Sequence, residues 1–201
     1  MMPVIAPSPR LRERKRIQRR YPARTLHLID IENLAGSAVP SLAQVQQLRT
    51  QYRSRLNPGV ADQVVLACNH RAFRTAGFGW LDSRHMVRSG RDGADLELLD
   101  VIHHENVASR FARVAIASGD GAFADEARRL VRLGCELIVI SRRDALSARL
   151  AVAAHRVIYL DDACVLTSAP ERSPLRHQAA LCACGPRWLP GGNGSVRRGR
   201  C

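Results

Sequence analysis

Three aspartates in the sequence are spaced so that they could act together on one substrate. Asp30 ends the apolar run 26–29, Asp120 follows the apolar run 113–117, and Asp95 lies near the start of a predicted helix. Clustered carboxylates repel one another, so at least one takes up a proton unless a cation neutralises them. An all-oxygen site with few protein ligands suits Mg²⁺ or Mn²⁺. The pattern favours a divalent-metal site and, as its chemistry, metal-assisted phosphodiester hydrolysis.

Each of these positions also has a purely structural interpretation. Asp92, just before Asp95, is best explained as a helix N-cap, and Asp120 could be a turn residue before a helix. Asn33 could be a plain Asx-turn residue. Asp30 is harder to explain in this way, because a carboxylate that ends a buried strand is costly without a partner.

Alternating strands and helices are predicted to position these side chains. Apolar runs predict strands at 26–29, 63–68, 85–88, 113–117, 136–140 and 157–160. Spacings of three and four predict helices at 42–52, 92–103, 123–133 and 146–154, while 70–80 is ambiguous, one helical turn and then loop. Continuously apolar strands separated by helices are typical of an α/β fold, a three-layer α/β/α sandwich with a mostly parallel sheet.

The predicted sheet indicates where a site would lie. In open parallel sheets ligands bind outside the carboxyl ends of the strands, where the strand order reverses. If the first and fourth strands are neighbours there, Asp30 and Asp120 face each other and Asp95 leans over the same crevice. Arg88 and Arg91 precede the acidic cluster. They either contact a nucleic-acid backbone or balance nearby acids at the surface.

Three motifs, in this order, resemble the NYN family of PIN-like nucleases. They are residues 28–34, with Asp30 and Asn33, residues 93–96, with Asp95, and residues 118–123, with Ser118 and Asp120. The likeness spans residues 25–162. It implies a PIN-like sandwich and a ribonuclease that uses Mg²⁺ or Mn²⁺. It further implies that the three aspartates bind the metal, and that Asn33 and Ser118 shape the site or touch the nucleic acid.

The chain departs from this family at one position. Many members have a further Asp two residues after the third-motif aspartate, where this chain has Ala122. The departure removes one carboxylate and leaves the metal count, one or two, undecided. Asp125 lies in the following helix, where an exposed acid is expected, and Asp100 lies five residues beyond Asp95, well off its helical face.

The positive charge is concentrated at the two ends of the chain. The net charge is +13, of which residues 1–24 carry +7 and residues 170–201 carry +5, leaving +1 between. Both ends are rich in Arg and Pro and lack an apolar period. We therefore predict a basic disordered arm at 1–24, one folded domain at 25–165 and a basic disordered tail at 166–201. Such arms attract phosphate backbones without sequence preference, although solvated arginine-rich tails are the plainer alternative.

Composition argues against several protein classes. No stretch approaches the roughly 20 apolar residues of a membrane span, and no apolar segment typical of a secretory signal precedes the basic run. A mitochondrial transit peptide is a weaker option for that run. Six cysteines in 201 residues do not make a disulfide scaffold, which favours a reduced, cytoplasmic protein. Cys182 and Cys184 are closer together than the cysteines of ordinary zinc motifs.

The leading hypothesis is a metal-dependent ribonuclease that acts on RNA, with single-stranded RNA as the expected substrate. The basic tails would supply attraction to RNA and no specificity. One rival is a nucleic-acid-binding module without hydrolysis, which the Ala122 departure permits. Another is a regulatory protein that uses the surface of the fold for a protein partner. The sequence leaves the oligomeric state undetermined.

Overall fold

Strands and helices alternate along residues 24–161, the part of the chain that the computed structural model describes. The six strands are β1 Thr25–Asp30, β2 Gln63–Cys68, β3 Arg84–Val87, β4 Arg113–Ala117, β5 Glu136–Ser141 and β6 Arg156–Tyr159. The helices are α1 Ile31–Ala35, α2 Leu42–Arg55, α3 Phe73–Gly79, α4 Gly93–His104, α5 Val107–Arg110, α6 Ala124–Arg132 and α7 Ala148–Ala153. A 3₁₀ turn, Gly121–Phe123, precedes α6.

The strands form one parallel sheet in the order β3-β2-β1-β4-β5-β6. The predicted α/β class is confirmed, and the described sheet is parallel throughout. β1 pairs with β2 on one side and with β4 on the other, so that Ile29 lies opposite both Leu66 and Ala117. The strand order reverses between β1 and β4. The first and fourth strands are thus neighbours, which is the condition on which Asp30 and Asp120 were expected to lie close together.

Alternating side chains of the strands build a separate core on each face of the sheet. Leu26 and Leu28 belong to a cluster that includes residues of α4 and α6. Ile29 belongs to the other cluster, with residues of α1, α2 and α3. Because successive side chains of a strand point to opposite faces, Asp30 has the same orientation as Leu26 and Leu28. Its carboxylate therefore belongs to the layer that contains α4.

Helix α2 begins where the sequence predicts it. The side chain of Ser41 accepts a hydrogen bond from the Gln44 N–H, and the Gln44 side chain accepts one from the Ser41 N–H. This reciprocal capping satisfies two backbone donors at the start of the helix. Most other predicted elements agree with the structure to within one or two residues.

Helix α3 is longer than the predicted single turn, and the short helices α1 and α5 are not among the predicted elements. The sequence of α3 contains Gly77 and Gly79, which disfavour a helix. Ala76 and Trp80 are nevertheless buried in the core beneath it. A Cβ on Gly79 would lie 2.5 Å from Val45 Cγ1, so the glycine allows α2 to approach closely. Tertiary packing thus stabilises a segment whose local preference is weak.

The predicted ends of the chain lie outside the described residues, as do Cys182 and Cys184. Arg24, assigned by sequence to the basic arm, donates from Nε to the Ala61 carbonyl and lies over the ring of Phe111. Cys68 and Cys135 are free and buried. Within residues 24–161, no helix has the length and apolar character needed to cross a membrane.

Candidate functional site

Asp30 lies where β1 ends and α1 begins, and its carboxylate is held from both sides. Oδ1 accepts hydrogen bonds from the N–H groups of Glu32 and Asn33, each at 3.1 Å. The Ser118 hydroxyl donates to Oδ2 at 3.3 Å. Burial raises the pKa of Asp30, and the Asn33 N–H opposes that rise. Asp30 therefore acts as the N-cap of α1 while its carboxyl group stays almost inaccessible to solvent, at 4% exposure.

Asp95 lies in the first turn of α4 and meets the carboxyl group of Asp30. The residue is 7% exposed, and Oδ1 has no hydrogen-bond partner among the described residues. Burial raises the pKa of Asp95 to about 8, and the negative charges of Asp30, Asp120 and Asp92 add to the effect. Because two buried carboxylates repel each other, this pair holds a proton at neutral pH unless a cation takes its place.

Asp120 lies in the turn after β4. A hydrogen bond connects this turn to α1, the helix that follows β1. The Gly119 N–H donates to Asn33 Oδ1 at 2.9 Å, and the Asp120 N–H donates to the Ser118 hydroxyl at 3.2 Å. Asp120 Oδ1 in turn accepts from the Ala122 N–H at 2.8 Å, capping the 3₁₀ turn. Asn33 and Ser118 thus join the two strand ends on which Asp30 and Asp120 lie.

The two glycines of this turn are required by a segment that passes against it. A Cβ on Gly119 would lie 2.2 Å from the Ala145 carbonyl oxygen, and one on Gly121 would lie 2.9 Å from Ser147 Oγ. The Ser147 N–H also donates to the Gly119 carbonyl at 2.8 Å. The chain following β5 therefore holds the Asp120 turn in place.

The donor set suits a hard divalent cation. Carboxylate oxygens are the ligands that Mg²⁺ and Mn²⁺ prefer, and Mg²⁺ usually keeps several waters and needs only one or two carboxylates. The Asp95 carboxyl group lies beside that of Asp30, and its Oδ1 has no donor in the described part of the chain, so a cation would neutralise this environment. Across residues 24–161, no group of three His, Cys, Asp or Glu side chains is arranged to hold a metal. Asp30 and Asp95 are therefore the residues that suit a divalent cation. Asp120 is close enough for its charge to raise the pKa of Asp95.

The predicted arginines have partners on α4 and in the loop before it. Arg88 Nη1 lies 3.3 Å from Asp100 Oδ2 and 3.7 Å from Glu97 Oε1. Arg91 has a side chain that is 96% exposed, with Nε 3.8 Å from Asp92 Oδ2. Both arginines therefore have acidic neighbours other than Asp30 and Asp95.

The other acids considered from the sequence have different surroundings. Asp125 is exposed on α6, where it contacts Arg128 and Arg149. Asp92 occupies the N-cap position of α4, but its side chain caps nothing, because its φ of 59° is left-handed rather than extended. Asp92 is thus the N-cap residue, as predicted, but the expectation that its side chain caps the helix is wrong.

Two further residues near the crevice were missed by the sequence reasoning. The Glu32 carboxylate accepts a hydrogen bond from the Asn69 N–H, which links the ends of β1 and β2. The Arg142 guanidinium packs against Gly36 at the end of α1, where a Cβ would lie 2.7 Å from Nη1. Only their positions along the chain could have indicated these residues: Glu32 follows Asp30 by two residues, and Arg142 directly follows β5.

Comparison with known proteins adds little to this geometry. No family model matches the chain, and no curated protein matches it. A crystal structure of a protein of unknown function from Vibrio parahaemolyticus is similar, with 18% sequence identity and a TM-score of 0.46. The similarity covers 70% of this chain and 94% of that one. A likeness at this level, to a protein of unknown function, assigns no activity to the chain.

Proposed function

We propose that this protein is a divalent-metal-dependent ribonuclease that hydrolyses RNA phosphodiester bonds, as the resemblance of its three motifs to NYN nucleases implies. One observation carries the proposal: the buried Asp95 carboxyl group interacts with a second buried carboxyl group, that of Asp30, and its Oδ1 has no hydrogen-bond donor within residues 24–161. A purely structural aspartate would be expected to have a donor, since burying an unpaired carboxylate is costly.

The residues of the site have distinct tasks in this proposal. Asp30 and Asp95 would hold Mg²⁺ or Mn²⁺, and Ser118 and the Asn33 backbone keep the Asp30 carboxylate in one orientation. When bound, the cation would lower the pKa of a water and stabilise negative charge on a phosphate oxygen. Asp120 adds a carboxylate whose charge acts on Asp95, while its Oδ1 caps its own turn.

The test is cleavage of labelled single-stranded RNA by the full-length chain in Mg²⁺, Mn²⁺ or EDTA. We expect cleavage only with metal, and a loss of about 100-fold or more in Asp30→Asn and Asp95→Asn, because each removes a ligand charge. Asp125→Asn is the matched control, since that acid is exposed and paired with arginines. Cleavage that persists in EDTA, or that Asp95→Asn leaves unchanged, would reject the proposal.

A second candidate function is RNA binding without hydrolysis. It is favoured by Ala122, which stands where many family members have a further acid, and by the use of Asp120 Oδ1 as a turn cap. Salt-sensitive RNA binding without cleavage in either metal would support this candidate. Absence of binding even at low salt would favour the remaining alternative, a regulatory protein with a protein partner.

A further inference from the structure

Helix α3 exposes aromatic side chains beside a shallow groove. Phe73 is 46% exposed, Phe78 68% and Leu81 74%. Together with Arg74 and Gly77 they line the groove. A Cβ on Gly77 would meet nothing within 4 Å, so the floor of the groove is open. Large apolar side chains clustered at the surface in this way mark an interaction site more often than scattered ones do.

The charge of this surface is positive. Arg71 and Arg74 are exposed, and neither has a hydrogen bond or ion pair with any of residues 24–161. No acidic residue lines the groove. Asp82, the next acid along the chain, is already engaged by Arg49 and Arg53 of α2. A ligand that combines flat apolar groups with negative charge would complement this surface.

The segment before this surface leaves the sheet at the same edge as Asp30. Helix α3 starts shortly after β2, whose Ala67 pairs with Asp30 in the sheet. The Asn69 N–H is bound by Glu32, and His70 Nδ1 lies 2.5 Å from the Ser89 hydroxyl in the loop that leads to α4. The segment that precedes α3 is thus connected to α1, which follows Asp30, and to the loop that precedes Asp95.

We propose that Phe73, Phe78, Arg71 and Arg74 form a stacking subsite for single-stranded RNA, on the helical layer opposite the one that contains Asp95. Bases stack on exposed aromatic rings whatever their identity, and arginines beside those rings bind the phosphates. A duplex offers no free base faces to such rings, so the subsite selects unpaired strands. The inference takes its ligand from the proposed function but does not depend on hydrolysis.

The first test measures stacking directly, on the full-length chain in EDTA so that no metal-dependent cleavage interferes. A single-stranded RNA carrying 2-aminopurine reports stacking as a loss of fluorescence, and anisotropy gives its affinity. We expect Phe78→Ala and Phe78→Leu to weaken binding about tenfold and to abolish part of the fluorescence loss. Phe78→Tyr, which keeps an aromatic ring, should retain both. Because Phe78 is 68% exposed, all three variants should fold, as thermal unfolding can verify.

The second test concerns the phosphate contacts. Arg74→Glu should lower the affinity and reduce the slope of log K against log salt by about 0.7, the value for one phosphate contact on a single strand. Arg132→Glu, an exposed arginine at the end of α6, is the matched control and should change the slope less.

Two results would overturn the subsite. One is affinity and fluorescence unchanged in Phe78→Ala and Arg74→Glu. The other is that the wild-type chain forms a dimer and that Phe78→Ala dissociates this dimer without changing RNA binding. The surface would then bind a second copy of the chain. Cleavage is scored separately in Mn²⁺. Stacking without cleavage keeps the subsite and rejects the nuclease, whereas cleavage without dependence on Phe78 rejects the subsite alone.

Discussion

At the scale of single residues, the two buried carboxyl groups make the stability of the folded protein depend on pH when no cation is bound. The pKa of Asp95 lies near 8 because burial and the charge of Asp30 both oppose its ionisation. In the unfolded chain the same group has an ordinary pKa, near 3.8. The folded state therefore binds the proton more tightly, and its stability falls as the pH rises from about 4 through about 8.

Asp95→Asn should remove this dependence. In EDTA at pH 8.5 we expect the variant to be more stable than the wild type by about 1–3 kcal/mol. Each tenfold change in proton affinity is worth about 1.4 kcal/mol, and the cost of burying the Asn amide offsets much of that gain. At pH 5 the difference should be much smaller, because most of the interval between the two pKa values lies above that pH. Thermal unfolding at both pH values measures the effect, with Asp125→Asn as control. Equal stabilities of wild type and Asp95→Asn at pH 8.5 would contradict the assignment of a strained carboxyl pair.

A second residue-level prediction concerns a buried polar group on the other face of the sheet. His27 Nδ1 lies 2.7 Å from the Tyr52 hydroxyl, and Nε2 lies 3.5 Å from Asp62 Oδ2. Tyr52→Phe should destabilise the protein by about 1–2 kcal/mol, because His27 loses a buried hydrogen-bond partner. Chemical denaturation measures this change, and Tyr159→Phe, at the carboxyl end of β6, is the control. A loss below about 0.5 kcal/mol would mean that the hydrogen bond contributes little.

At the scale of elements, the turn after β4 positions Asp120 only because glycine occupies residue 119. Gly119→Ala would place a methyl group 2.2 Å from the Ala145 carbonyl oxygen, which belongs to the backbone and cannot yield cheaply. We expect a loss of about 1–3 kcal/mol in unfolding free energy, as for other overpacked sites. Cleavage of RNA should fall with it, because Asp120 moves with the turn.

Gly77→Ala is the matched control for that experiment. Its added methyl group meets nothing within 4 Å, and it replaces a glycine within helix α3. We expect a gain of about 0.5–1 kcal/mol, the usual difference between alanine and glycine in a helix. If both variants lost stability equally, the contact between the turn and Ala145 would not be the cause. Urea denaturation of the two variants decides between these outcomes.

At the scale of the whole molecule, the sequence separates a near-neutral domain from strongly basic ends. Residues 1–23 contain seven basic side chains and one acid. Deleting them should weaken RNA affinity and reduce the salt slope by about 2 or more, since each phosphate contact on a single strand contributes about 0.7. Arg24 is retained because it bonds to Ala61 and lies over Phe111. A slope that does not change would show that this segment makes no phosphate contacts.

The sequence by itself determined most elements and the positions of the acids along them. Apolar runs and helical spacings are local properties, and they located all six strands to within one or two residues. They also placed Asp30 and Asp120 after strands and Asp95 near a helix start. Local preference failed for α3, where glycines disfavour a helix that the burial of Ala76 and Trp80 stabilises.

Only the tertiary structure decided which of these residues meet. The sheet order makes β1 and β4 neighbours, and the orientation of Asp30 directs its carboxyl group toward α4 and Asp95. The fold also places Arg71 and Arg74 near the exposed ring of Phe78, with no partner for either arginine among residues 24–161. Arg88, by contrast, lies next to acidic residues. Such contacts join segments far apart in the chain, so they depend on how the two helical layers pack, which no local pattern encodes.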